Sequence, residues 1–210
     1  MDFILTPVEV RVLGCLIEKE VTTPDYYPLS VNALQNACNQ ITNRNPVVSY
    51  DEQQIMAALT LLKGKGLVSP TFVGRVPKYE ERLLKRLNLV MRETAVLCVL
   101  MLRGPQTVGE IRGRAERLHP FERLEEVDQT LAALTERSHV TSLPRQPSRK
   151  EARYAHLFAG PPDPNEEEPL VHSDVGEKER LAHLEAVVDA LRHDVDALKA
   201  IITDFKAQFE

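Results

Sequence analysis

Residues 67–83 read LVSPTFVGRVPKYEERL, and the fold turns on how that run is taken. LVSPTFVG and RVPKYEERL are two short β-rich pieces around a Gly-containing connection, the pattern of a β-hairpin. Three helical patterns precede it. Thr6 is an N-cap with Pro7 at the first helical position and Glu9 three residues after the cap, a capping box. Val10, Leu13 and Ile17, with Leu16, make that helix's apolar face, which ends near Lys19-Glu20. Ser30 opens a second helix with Val31, Leu34 and Cys38 three and four apart. Asp51 opens a third, with Ile55, Leu59 and Leu62 on one face and Gly64 and Gly66 closing it. Three short helices followed by a hairpin is the order of a winged helix, a helix-turn-helix carrying a β-ribbon wing.

The same order recurs downstream. VLGCLIEKE at 12–20 is answered by VLCVLMLRG at 96–104, and SVNAL at 30–34 by TVGEI at 107–111. Ile55, Leu59 and Leu62 are answered by Val127, Leu131 and Leu134, and Lys78-Tyr79 by Arg153-Tyr154. The offsets drift from 84 to 77 to 72 to 75, as loop insertions would cause. The Asn-rich connection after the second helix, Asn39–Pro46, has no counterpart; Leu118-His119-Pro120-Phe121 takes its place.

From Gly160 the sequence changes to GPPDPNEEEP, an acidic, Pro-rich linker unable to build a core. Asp174 with Glu177 then forms a capping box for a last helix. Its apolar residues Leu181, Leu184, Val188, Leu191, Val195, Leu198, Ile202, Phe205 and Phe209 alternate three and four apart without interruption. That is a heptad seam, with mostly β-branched residues at a and Leu at d, which favours a parallel two-stranded coil. Val187 and Ile201 widen the seam, leaving room for a trimer or for packing on the body.

The expected architecture is therefore mainly α with small β-hairpin wings. Residues 1–82 form winged-helix domain 1, 83–91 a helical link and 92–159 winged-helix domain 2. Residues 160–173 form the Pro/acid-rich linker and 174–210 the coiled-coil helix.

Composition bounds the function. At 43% hydrophobic and 27% charged, the chain can bury a core. With no Trp, five Tyr and six Phe, an aromatic platform for stacking bases is disfavoured. No apolar run approaches the roughly 20 residues of a membrane helix, and MDFILTPVEV lacks the regions of a signal peptide. Cys15, Cys38 and Cys98 sit beside apolar neighbours, as buried thiols of a reducing, cytoplasmic compartment would. The net charge of −5 conceals a division, since residues 1–158 carry +3 and the tail −8. The body is thus free to carry a modest basic surface.

Catalytic patterns are lacking. The six His are at 119, 139, 156, 172, 183 and 193, none near a Cys at metal-ligand spacing. There is no P-loop, GxGxxG or GxSxG. The expectation is a non-enzyme with no cofactor and no metal.

Nucleic-acid contacts are sought on the wings. The third helices begin Asp51-Glu52 and Glu125-Glu126, which suits the helix dipole but repels phosphates. The first wing carries Arg75 and Lys78; the second, LPRQPSRKEAR, carries Arg145, Arg149, Lys150 and Arg153 against Glu151. Those cations suit a phosphate backbone or a narrow minor groove, or else serve solubility on a solvated loop. Arg112, Arg114 and Arg117 could add contacts, although Glu110–Arg114 also reads as an intrahelical pair. Arg44 in ITNRNPV has two readings: a guanidinium that holds a phosphate, or a side chain that ties the loop to its own backbone.

GCLIEKEVTTPDYYPLSVNALQNACNQITNRNPV, at residues 14–47, also resembles the YceH family of bacterial proteins. The likeness continues through VPKYEERL, LRGPQTVGEIRGRAERL and SRKEARYAHLF and covers nearly the whole chain. Ile41 departs from the family pattern, in which Lys is more usual, and any phosphate contact by that side chain is lost here. The resemblance implies a tandem winged-helix body and no established activity. The expected function is a dimeric DNA-binding protein that meets duplex DNA through basic wings. Its expected partners are duplex DNA and a second copy through Leu181–Phe209, with no membrane. The alternative is a protein–protein adaptor using the same scaffold.

Overall fold

The computed structural model describes residues 3–72, 76–144 and 151–162, all within the first of two compact units, Met1–Pro164. The expected coiled-coil helix lies outside the described residues, as do Arg75, Arg145, Arg149 and Lys150. Among the described residues the chain is mainly helical, with seven α-helices and two small antiparallel sheets.

Helix α1 (Pro7–Thr22) starts at the expected capping box: Glu9 N donates to Thr6 Oγ1 at 3.3 Å and Thr6 N to Glu9 Oε2 at 2.8 Å. A short turn leads to β1 (Leu29–Ser30) and α2 (Val31–Cys38), where Ser30 Oγ accepts from Ala33 N. Helix α3 (Glu52–Gly64) is boxed by Asp51 and Gln54. Gly66, at φ +69°, supplies the left-handed residue that turns the chain from α3 toward β2 (Val68–Thr71) and its partner β3 (Lys78–Glu81). The hairpin register sets Val68 opposite Glu81 and Thr71 opposite Lys78.

Helix α4 (Leu83–Leu87) is shorter than the helical link expected over 83–91. Asn88 ends it in the left-handed region at φ 50°. Helices α5 (Met91–Arg103), α6 (Val108–Ala115) and α7 (Leu124–Glu136) follow, then strands β4 (Val140–Ser142) and β5 (Tyr154–His156). Three main helices and a two-stranded ribbon thus occur twice, in the same order.

One element escaped the sequence reading. β1 joins the first ribbon to make the sheet order β1-β3-β2, with Leu29 opposite Tyr79. In the second run a single bridge, Gln106 to Tyr154, takes the corresponding place. Two residues are too few for a periodic pattern to register.

The anticipated apolar faces are the core. Leu13, Leu16, Leu34, Ile55, Leu59 and Leu62 are buried in the first run, and Leu97, Leu100, Ile111, Val127, Leu131 and Leu134 in the second. They form one continuous cluster because α1 packs on α5. Gly14 permits that approach: a Cβ there would stand 2.9 Å from Leu102 Cδ2. Cys98 Sγ donates to Gly14 O at 3.6 Å across the same contact. Among the described residues, no helix is long and apolar enough to cross a membrane.

Candidate functional site

Helix α2 ends with carbonyls that have no partner within the helix. Two arginines supply the donors. Arg44 Nε and Nη2 donate to Ala37 O at 3.1 and 2.9 Å. Arg11 Nη1, from α1, donates to Cys38 O at 3.0 Å, and its Nη2 to Pro46 O at 2.6 Å. Arg44 also makes a forked pair with Glu18, Nη2 to Oε2 at 2.6 Å and Nη1 to Oε1 at 3.1 Å. Gln40 Oε1 and Asn43 O take its remaining capacity. Arg44 is 5% exposed, with its N–H groups committed. The expectation of a nucleic-acid contact at Arg44 is corrected on this ground, because the guanidinium is a strut inside the protein.

Charge follows that geometry. Burial favours loss of Arg44's proton, but the bonds to Glu18 outweigh it and hold the guanidinium more firmly charged than usual. Burial likewise pushes Glu18 up, and Arg44 outweighs it, leaving the carboxyl below its ordinary range.

The rest of loop 39–46 has a structural task too. Asn39 Nδ2 donates to Tyr50 O and Tyr50 N returns a bond to Asn39 Oδ1, each 2.8 Å, fixing the entry to α3. Asn45 N donates to Leu102 O at 2.9 Å and its Nδ2 to Arg103 O at 3.5 Å, covering the last carbonyls of α5. Arg103 Nη2 in turn reaches Asn43 Oδ1. The loop therefore caps a helix of the second run, which is why the sequence contains it only once.

Most described arginines of the body are similarly engaged. Arg82 pairs with Glu80, Arg137 with Glu93 and Leu87 O, and Arg112 holds Phe121 O and Glu122 O. Arg86 donates to Lys65 O and lies over the Phe3 ring. Asp51 is consumed as the cap of α3, and Glu126 Oε2 accepts from Glu122 N beside the start of α7. Asp51 thus serves the backbone of its own helix, and Glu126 ties the turn that precedes α7.

On the ribbons, Lys78 is half-buried in β3 and its carbonyl accepts from Thr71 Oγ1. Arg153 is half-buried and donates to Pro105 O, anchoring the base of the second ribbon to the start of the second run's middle segment. The sequence could not separate it from Arg145, Arg149 and Lys150, since the distinction lies in a partner 48 residues away. Sequence reasoning also passed over the exposed apolar residues beside the first ribbon's connection, Phe72 at 79% and Val76 at 56%.

Several titratable groups are turned inward. Cys15, Cys38 and Cys98 are buried thiols. Burial pushes Cys98 well above its ordinary value. His156 is pushed down to about 4 by burial and, like His139, packs against Phe158 as a neutral ring. Among the described residues no group of His, Cys, Asp and Glu is placed to hold a metal ion.

A mainly helical protein with paired helix–ribbon runs is the class these elements define. Residues 5–149 match the family model described as "Protein of unknown function, DUF480". The UPF0502 protein of Pelobacter propionicus is 51% identical over 219 residues, covering the whole of both chains. UPF0502 protein GSU0233 of Geobacter sulfurreducens is 48% identical, again over both full lengths. The UPF0502 protein of Solibacter usitatus is 49% identical over 213 residues with the same coverage. The chain belongs to this bacterial DUF480/UPF0502 family, in keeping with the resemblance drawn from residues 14–47.

Proposed function

We propose that the chain is a non-enzymatic, dimeric DNA-binding protein. Its body is two tandem winged-helix domains, and it meets duplex DNA mainly through the wing connections. The tandem reading is supported by the repeated element order, by the matching places of Leu29–Tyr79 and Gln106–Tyr154, and by the packing of α1 on α5. A parallel coil at 174–210 would bring two bodies together and raise the effective concentration of the second contact.

The observation that carries the reading is where the cations go. The fold spends most of the body's described guanidinium groups on carbonyls and carboxylates, while Arg145, Arg149 and Lys150 cluster in sequence between paired strands β4 and β5. A phosphate backbone is the polyanion such a ribbon connection would suit. The alternative, a protein–protein adaptor, is favoured by Phe72 and Val76 beside the first connection and by Met56 and Leu61 on the outer side of α3, all exposed.

Duplex DNA binding across a salt series separates the two. Arg145, Arg149 and Lys150 are changed together to Ala, with Arg153 kept because it holds Pro105 O. The expected result is weaker binding and a log K against log salt slope shallower by up to about 2.7, at roughly 0.9 for each phosphate no longer neutralised. If the wild-type chain fails to bind duplex DNA at low salt, or the triple variant binds unchanged, the adaptor reading takes over.

A further inference from the structure

Besides the packing of α1 on α5, the two runs are joined through Phe3, Ile4 and Leu5. Leu5 N donates to Phe158 O, just beyond β5, at 2.8 Å. Ile4 O accepts from Lys65 Nζ, at the end of α3, at 3.0 Å. The Phe3 ring has Arg86 of α4 over it at 5.4 Å and stacks on the Phe158 ring at 6.2 Å. Phe158 is fully buried, and two imidazoles pack on it as well, His139 and His156, each with ring centroids 5.9 Å from it. We propose that Phe3–Leu5 is an acid-released clasp: it holds the two runs together while both imidazoles are neutral and opens when one of them takes a proton. The inference stands apart from the DNA-binding reading, since it concerns the joining of two runs within one body.

The cluster has no place for a positive charge. Nδ1 of each imidazole is buried and, among the described residues, has no hydrogen-bond partner. In a neutral ring one nitrogen carries no proton and acts only as an idle acceptor. In the imidazolium both nitrogens are charged donors, and a buried one without an acceptor is costly. The face of Phe158 attracts a neighbouring cation too weakly to offset that loss. Burial alone depresses His156, to about 4. Burial depresses His139 too, where Arg137 and the amino-terminal charge oppose a proton and Glu93 favours one.

The clasp is the part that yields. His156 lies in β5, which is paired along its length with β4, and His139 is tied through its own N–H to Leu134 O and through its carbonyl to Leu157 N. Residues 3–5 belong to no helix or strand, and Ile4 is 69% exposed. Two hydrogen bonds and one ring hold them, so they can lift without breaking a helix or a ribbon. Lifting Phe3 lets water reach Phe158 and the imidazoles packed on it.

Other charges beside the clasp do not titrate in the same range. Lys65 and Arg86 stay positive throughout it. Burial pushes Glu9 up, but its bond from Lys65 outweighs that and leaves the carboxyl below its ordinary range. An imidazole exposed by opening returns to an ordinary 6.5, so the open form binds a proton where the closed form does not. For His156 alone, going from pH 7 to pH 5 raises the ratio of open to closed about twentyfold.

The test is amide-resolved hydrogen exchange on the full chain between pH 7 and pH 5, each rate corrected for the intrinsic pH dependence of exchange. The Leu5 amide reports the clasp, and the central amides of α5 report global unfolding. Protection at Leu5 should fall about twentyfold across that range, while protection in α5 does not fall with it. His139→Phe with His156→Phe keeps a ring at each place and removes both titrating groups, so its Leu5 protection should stay level. Should that double variant fail to fold, His156→Gln should cut the fall to threefold or less. Glu9→Gln should leave the fall in place. Leu5 protection that ignores pH, an equal fall in the histidine variants, or α5 amides that lose protection in step with Leu5 would each overturn the proposal. So would loss of the pH dependence in Glu9→Gln, by assigning the titration to the carboxyl.

Discussion

Arg44 shows how much a single residue's role depends on what lies opposite it. In sequence it sits among Asn43, Asn45 and Pro46, a polar setting that favours a backbone tie while leaving a phosphate contact readable. Its partner Glu18 lies 26 residues earlier, at the far end of α1. Breaking such a pair leaves a carboxylate and a helix-end carbonyl unsatisfied in the interior. Arg44→Met should cost about 3–5 kcal/mol, measured by urea unfolding. Adding Glu18→Gln should recover part of that loss, because it removes the stranded charge; a fully additive double variant would mean the two side chains act independently.

At the scale of elements, the meeting of α1, β3 and α4 holds a second pair that local sequence does not reveal. Glu81 is 7% exposed at the end of β3. Its Oε2 accepts from Leu84 N at the start of α4, and its own N–H donates to Tyr27 Oη at 2.6 Å. Glu20, from the last turns of α1, is close enough to act on its charge. Burial, together with Glu20, raises the Glu81 carboxyl to about 7 from an ordinary 4.5. The folded state therefore holds this proton more tightly than the unfolded chain, and the resulting stability is present in full below 4.5 and lost as pH rises toward 7. His156, depressed to about 4, slopes the other way between about 4 and 6.5, so the wild-type profile alone is ambiguous. The difference between wild type and Glu81→Gln isolates the carboxyl. The uncharged amide should keep the bond to Leu84 N, making the variant more stable than wild type by about 3 kcal/mol at pH 8 and nearly equal to it at pH 4. A pH-independent difference would show that the fold does not raise the Glu81 carboxyl.

At the scale of the molecule, the division of charge and the heptad seam lead to a test of assembly. The acidic tail and its run from Leu181 to Phe209 are expected to carry self-association. Sedimentation should find the full chain dimeric and a chain ending at Gly160 monomeric and folded. A dimer that survives the truncation would assign the interface to the body. The described core supports folding of the body, since the buried residues of both runs form one cluster through α1 and α5.

The sequence by itself determined the helices and ribbons, because capping boxes and apolar periodicity are local: Thr6 with Glu9, Asp51 with Gln54, and the buried series Ile55, Leu59 and Leu62 all lie within a few turns. The recurring element order was legible for the same reason, each run having its own apolar faces to bury. The roles of the charged residues were not legible. Whether an arginine is a strut, an anchor or a contact depends on long-range neighbours: Arg44 on Glu18, Arg153 on Pro105 O, Arg103 on Asn43. Only the tertiary structure decided those, since it alone brings the loop 39–46 against the ends of α1 and α5. Periodicity records which face is buried, whereas electrostatic partnership is set by distances that no sequence spacing carries.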